Sequence, residues 1–386
     1  MKLSERLARL GTETAFEVLV RARALEAKGR SVIHLEIGEP DFDTPAHVVE
    51  AGIAALKAGA THYGPAAGLP ELRQAVAEDS TARRGVKATP EMVVVTPGGK
   101  PVMFYLILAL VDPGDEVLYP NPGFPIYESM IRYIGGVPVP VRLLAEKGHQ
   151  LDVDQLIAKI TPRTRLIVLN YPHNPTGGII PEAGLRAIAD AAVRAGIPVL
   201  SDEIYSQILY DGKHVSIAAM PGMESLAIVL DGFSKTYAMT GWRLGYGIMP
   251  APLAQVVAKL QTNAVSCTAS FTQLAGLQAL KGDHAPIDAM VAEFRKRRDV
   301  IVDGLRQIPG IKCARPQGAF YVFPDITATG YSAKALADRL LEEAGVACLS
   351  GTAFGEWGEG HLRFSYASSL DNIQEALRRI KTCLAK

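Results

Sequence analysis

Short runs of aliphatic and β-branched residues alternate along this chain with stretches patterned for helices, and that alternation leaves few folds open. The runs "MVVV" (92–95), "EVLY" (116–119), "RLIVLN" (165–170), "IPVLSD" (197–202) and "LAIVLDG" (226–232) are apolar enough to be covered on both faces, as the strands of a parallel sheet must be. Between them lie "PVMFYLILALVD", "DVDQLIAKI" and "EAGLRAIADAAVRAG", which read as helices. The order predicts an α/β fold, a mostly parallel sheet between layers of helices. After about residue 283 the texture changes. A long charged helix, "MVAEFRKRRDVIVDGLRQI", leads into "GAFYVFPDI", a further helix, "GVACL" and "HLRFSYA", the pattern of a smaller α+β domain. With no low-complexity linker between them, the two units are expected to pack closely.

The chain has 386 residues, 48% of them hydrophobic, more than one compact unit usually needs. Forty lysines and arginines balance forty aspartates and glutamates. No overall field therefore draws in nucleic acid or an anionic membrane, which favours a small-molecule partner. Cys267, Cys313, Cys348 and Cys383 are far apart and form no Cys/His metal spacing, so no metal site is expected and the thiols read as reduced and mostly buried. The first 29 residues lack the apolar segment of a signal peptide and read as an amphipathic helix or arm. The longest apolar run, Val102 to Val111, is too short to cross a bilayer. The expectation is a soluble cytoplasmic protein.

In sheets of this kind ligands bind beyond the carboxyl ends of the strands. The polar residues that stand out lie there: Gly98-Gly99-Lys100 after "MVVV", Asn174 after "RLIVLN", Asp202 after "IPVL" and Lys235 after "LAIVL". The turn "TPGGKP" opens a helix, so its backbone N–H groups can approach an anion. It is not a Walker loop, and no G-x-G-x-x-G follows a strand. Arg243 offers a planar, permanently charged fork to a phosphate. Lys235, at the edge of an apolar strand, is placed to act as a nucleophilic amine that forms a Schiff base with a carbonyl. Asp202 can hold a ring nitrogen protonated. Pyridoxal phosphate needs these three things: a lysine for its aldehyde, an acid for its pyridinium nitrogen and a site for its phosphate.

Six motifs then occur in order: "IGEPDFDTP", "THYGPAAGLPELRQAVA", "NYPHNPTGG", "SDEIYSQILYDG", "GFSKTYAMTGWRLGY" and "HLRFSYA". From about residue 30 to 385 the chain resembles the class I/II aminotransferases of fold type I, and most closely the bacterial branch of the aspartate aminotransferase family. The resemblance implies an arm with part of the small domain at 1–46, a large cofactor-binding domain at 47–282 and a small domain at 283–386. It implies pyridoxal 5′-phosphate joined to Lys235, which also shuttles the substrate proton. Asp202 would pair with the pyridinium nitrogen, and Tyr205 and Asn174 would donate to the phenolate oxygen. Arg243 and the backbone at Gly98, Gly99 and Lys100 would form the phosphate cup, with Phe124 stacked on the ring. Arg363 would take the substrate α-carboxylate, with help from Asn174 and the Gly38 amide. Tyr63 would reach the phosphate of a neighbouring subunit in a homodimer with composite sites.

Two positions depart from the pattern. Gly232 stands where many relatives carry a phosphate-contacting serine, and Phe124 where tryptophan is frequent. Transfer of an amino group from an L-amino acid to a 2-oxo acid is the expected reaction. A carbon–sulfur β-lyase on the same scaffold is the alternative, because only the fate of the carbanion differs. A ligand-sensing regulator would need a helix-turn-helix segment and a basic patch, which the sequence lacks. The segment "KLQTNAVSCTASFTQLAGLQALK" contains no arginine to clamp a dicarboxylate. Aspartate or glutamate would need another cation, such as Lys100; otherwise neutral or aromatic donors are expected.

Overall fold

The computed structural model describes residues 1–385. Its strands are β1 (Ile33–His34), β2 (Val93–Thr96), β3 (Glu116–Asn121), β4 (Val137–Leu144), β5 (Gln150–Leu151), β6 (Thr164–Asn170) and β7 (Val199–Asp202). They continue with β8 (Ala227–Gly232), β9 (Gly245–Ile248), β10 (Tyr321–Val322), β11 (Val346–Ala347), β12 (Leu349–Ser350) and β13 (Leu362–Ser365). The large sheet has the order β2-β9-β8-β7-β6-β3-β4-β5. From β8 to β4 every neighbour is parallel. Strand β9 runs against both β2 and β8, and the short β5 runs against β4.

All five apolar runs are strands here, and each feeds both faces of the sheet. Val93 and Val95 enter one core while Val94 enters the other; Ile167 and Leu169 oppose Leu166 and Val168 in the same way. That is the two-residue period of a strand covered on both sides. Helices Pro70–Arg84, Glu182–Ala195 and Ser270–Lys281 close the first core. Helices Lys100–Leu110, Ile126–Ile134 and Ala251–Val265 close the second. Three strands of the sheet lie outside those runs, the two-residue β5 among them. In β4, "VPVPVRLL", Pro138 and Pro140 cannot donate to a ladder, which hides a strand from pattern reading. In β9, "GYGI", glycines replace the β-branched signal.

A third core gathers Ile33, Leu35, Phe294, Phe320, Tyr366 and Ile373. It lies among helix Ala285–Arg306, the three-stranded sheet β10-β13-β12 and helix Leu370–Leu384. The N-terminal part joins this region. Strand β1 pairs with β11, and Ala22 of helix Ala15–Glu26 packs with Leu341 and Ala347. Cys313, Cys348 and Cys383 are buried and Cys267 is half-buried. No helix among the described residues is long and apolar enough to cross a membrane.

Candidate active site

The carboxyl ends of β2, β6, β7 and β8 open on one cavity of about 570 Å³. Its floor carries Asp202, the last residue of β7, and Lys235, three residues beyond β8. Tyr321 and Arg363, on β10 and β13, and Gly38, in the loop after β1, also line it.

Lys235 is half-buried, and its Nζ donates to the Gly38 carbonyl. Burial lowers its pKa to about 8; Arg363 and Lys100 act in the same direction, against Glu39 and Glu13. Asp202 is buried. Its Oδ2 accepts from the Tyr127 hydroxyl at 2.6 Å and its Oδ1 from the Ile204 N–H at 3.2 Å. Burial still pushes its pKa up to about 6. The neighbouring residue, Glu203, faces the other way into a buried ionic network. There the Arg84 Nε donates to it at 2.7 Å and His214 lies at 2.8 Å. Burial alone would raise Glu203, but His214 and Arg84 hold it well below the carboxylate range. Arg84 pairs with Asp231 as well, tying the strand ends that carry Asp202 and Lys235.

Arg363, on β13, is a buried cation. One arm donates to the Asn174 Oδ1 at 3.3 Å and the other to the Glu36 carbonyl, while Nε has no partner. The guanidinium lies 4.6 Å from the Tyr321 ring centroid and 5.0 Å from that of Phe354. The Tyr205 and Tyr321 hydroxyls are 2.7 Å apart. Burial holds both phenols well protonated.

The turn after β2 has the features of an anion cradle. Gly99 caps helix Lys100–Leu110, whose first N–H groups have no intrahelical acceptor. Arg243 donates to the Thr240 carbonyl at 2.8 Å and reaches Pro97 O at 3.5 Å. Gly98 has φ +91°, and a Cβ there would sit 2.2 Å from the Arg243 guanidinium. Only glycine keeps that fork in place. The same crowding accounts for Gly232. A Cβ there would come within 2.8 Å of the Gly245 Cα on β9, so β8 and β9 touch where a side chain would otherwise stand.

Lys235, Asp202, Tyr205, Asn174, Arg243, Gly38, Gly99, Lys100, Phe124 and Arg363 all line the cavity. Gly98 borders it through Arg243. The Lys100 ammonium pairs with Glu13 of the N-terminal segment and lies 5.6 Å from the Phe124 ring centroid. Gly38 presents its carbonyl to Lys235, and a Cβ on it would strike the Tyr321 hydroxyl. Tyr63 is 90% exposed and does not line its own chain's cavity. Sequence reading missed Tyr127, Tyr321, Glu13 and the Arg84 network. "NPGFPIYE" did place Tyr127 one helical turn from Phe124, the spacing at which side chains share a face.

The family model of class I and II aminotransferases matches residues 30–380, and the chain belongs to that family. A probable aspartate/prephenate aminotransferase of Aquifex aeolicus is 42% identical over 99% of this chain and 98% of its own length. An arginine–pyruvate transaminase of Pseudomonas aeruginosa is 39% identical over 96% and 95% of the two chains. The structure of aspartate aminotransferase from Thermus thermophilus with maleate superposes with a TM-score of 0.95 at 39% identity. It covers 99% of this chain and 100% of that one. The protein is thus an enzyme of fold type I that transfers amino groups, and nothing in these likenesses favours a lyase.

Proposed function

We propose that this aminotransferase works with pyridoxal 5′-phosphate held between Asp202, Lys235 and the glycine turn, and carries the amino group from an L-amino acid to a 2-oxo acid in two half-reactions. One observation carries the reading: a half-buried lysine with a lowered pKa and a buried aspartate with a raised one share a single cavity at the ends of adjacent strands. The residues fit the group. The cradle at Gly98 and Arg243 would be filled by a Cβ, the Arg363 Nε lacks an acceptor, and Phe124 offers a flat face. When bound, the cofactor supplies an aldehyde and a protonated pyridine ring that accepts the electron pair of the substrate Cα–H bond.

The chain's own part follows from its groups. With a pKa of about 8, the Lys235 amine is unprotonated in an appreciable fraction near neutral pH, so it can attack a carbonyl and take the proton from the substrate Cα. Asp202, ionised opposite a ring N–H⁺, regains the stabilisation that burial removed, and Tyr127 fixes its orientation. Tyr205 would donate its hydroxyl to the ring oxygen. Arg363 and Asn174 hold the α-carboxylate, which sets the substrate Cα against Lys235. Arg243, Gly98 and the helix start at Gly99 would hold the phosphate.

We also infer a homodimer in which Tyr63 serves the partner's cradle. Its near-complete exposure in a Gly/Pro-rich loop supports this, as does the exposure of Leu7, Leu10 and Val20 on the N-terminal segment. In a hybrid of one Tyr63→Phe chain and one Lys235→Ala chain, the site retaining Lys235 should bind cofactor with wild-type affinity. The weakened affinity of the Tyr63→Phe homodimer at that site would refute the exchange.

The functional test is a half-reaction. Cofactor-loaded enzyme mixed with L-amino acids and no acceptor should lose its visible absorbance and release one 2-oxo acid per site. Lys235→Ala should keep the cofactor and show neither change. Undiminished bleaching in that variant would remove Lys235 from the chemistry.

A further inference from the structure

Two carboxylates enter the cavity without a role in the chemistry above, Glu13 and Glu39. Glu39 is engaged by the Thr240 hydroxyl. Glu13 lies just before helix Ala15–Glu26 and forms an ion pair with the Lys100 ammonium. Their side chains are 19% and 51% exposed. Four cations line the cavity: Lys100, Lys235, Arg243 and Arg363. The last three are committed to the cofactor aldehyde, its phosphate and the substrate α-carboxylate. Lys100 is therefore the one cation left, among the described residues lining the cavity, for a second substrate carboxylate. Glu13 already sits on it, where that carboxylate would bind. Phe16 and Ile37 bring apolar surface to the wall of the same cavity.

We propose that Glu13 determines donor specificity: by holding Lys100 it sets the side-chain end of the cavity against a second carboxylate and towards neutral apolar or aromatic amino acids. The proposal rests on the reading in which Arg363 takes the α-carboxylate. A dicarboxylate donor would have to displace Glu13 from Lys100 and then lie close to the freed carboxylate. Like charges at such range in a partly desolvated cavity repel strongly. An apolar or aromatic side chain leaves the ion pair intact and covers Phe16 and Ile37 instead.

The test compares kcat/KM for L-aspartate and L-phenylalanine in cofactor-loaded wild type, Glu13→Gln and Glu13→Gln/Lys100→Ala. Taking the ratio of two donors on one protein cancels differences in cofactor occupancy. Wild type should favour phenylalanine. Glu13→Gln, which keeps the shape and removes the charge, should raise the aspartate/phenylalanine ratio about tenfold or more, a difference of roughly 1.4 kcal/mol. Adding Lys100→Ala should cancel that gain. A wild type that prefers aspartate, an unchanged ratio in Glu13→Gln, or a gain that survives loss of Lys100 would each overturn the proposal while leaving the aminotransferase site intact. A loaded wild type inert towards both amino acids would overturn the site assignment and the proposal with it.

Discussion

Tyr127→Phe isolates the hydrogen bond on which the ionisation of Asp202 depends. The tyrosine is fully buried, and its hydroxyl donates to the Asp202 Oδ2 at 2.6 Å. Phenylalanine keeps the ring and its edge-on contact with Phe124, 5.5 Å between centroids. Packing should survive, while Oδ2 loses its donor and Oδ1 keeps only the Ile204 N–H. A hydrogen bond to a charged group is worth about 1.5–3 kcal/mol, which corresponds to about 1–2 pH units. The Tyr127 bond opposes the burial that raises Asp202 to about 6, so its removal shifts the pKa further up. The assay is the dissociation constant of pyridoxal phosphate from the apoprotein as a function of pH. A protonated Asp202 cannot attract the ring N–H⁺, so wild-type affinity should fall as pH drops through about 6. In Tyr127→Phe the fall should begin about 1–2 pH units higher, and the two proteins should converge at alkaline pH. The cofactor phosphate titrates identically in both, so the difference between the curves is what is read. Superimposable curves, or a displacement to lower pH, would refute the reasoning.

Arg363→Ala should weaken every donor that has an α-carboxylate by about 2–5 kcal/mol whatever its side chain; substrate affinities read from the half-reaction amplitude check this, and a loss confined to one donor would contradict it. Asp202→Asn should stabilise the cofactor-free protein. The folded pKa of about 6 exceeds the ordinary 3.8, so the folded chain holds a proton that the unfolded chain releases, and stability falls as pH rises through that window. The asparagine variant escapes this penalty, by ~1–3 kcal/mol above pH 6 and by nothing near pH 4. Thermal melting of the two apoproteins at both pH values measures it, and equal melting at neutral pH would count against the buried, raised carboxylate.

Much of the site was legible because a parallel sheet delivers its chemistry at predictable places. Asp202 ends, and Lys235 and Asn174 lie just past, strands that the apolar runs announce, so strand order alone brings them together. What escaped depends on contacts between distant segments. Tyr127 and Asp202 are 75 residues apart, and the Tyr205–Tyr321 pair 116. No local pattern encodes either pairing. The Lys100–Glu13 pair spans 87 residues and joins the glycine turn to an arm that looked like a simple amphipathic helix. Nor does any local pattern explain Gly232: β8 and β9 come so close that no Cβ fits there. The strands β4 and β9 were hidden for a related reason. Neighbouring strands order them despite prolines and glycines that work against a strand, so tertiary packing overrides local preference.

The central claim is that Lys235 is the amine that engages the cofactor, and borohydride reduction of the loaded enzyme tests it most directly. After proteolysis, mass spectrometry should find the reduced pyridoxyl phosphate group on the peptide carrying Lys235, in an amount that matches the bound cofactor, with Lys100 unmodified. Label on any other lysine, or an unmodified Lys235 in fully loaded enzyme, would contradict the account.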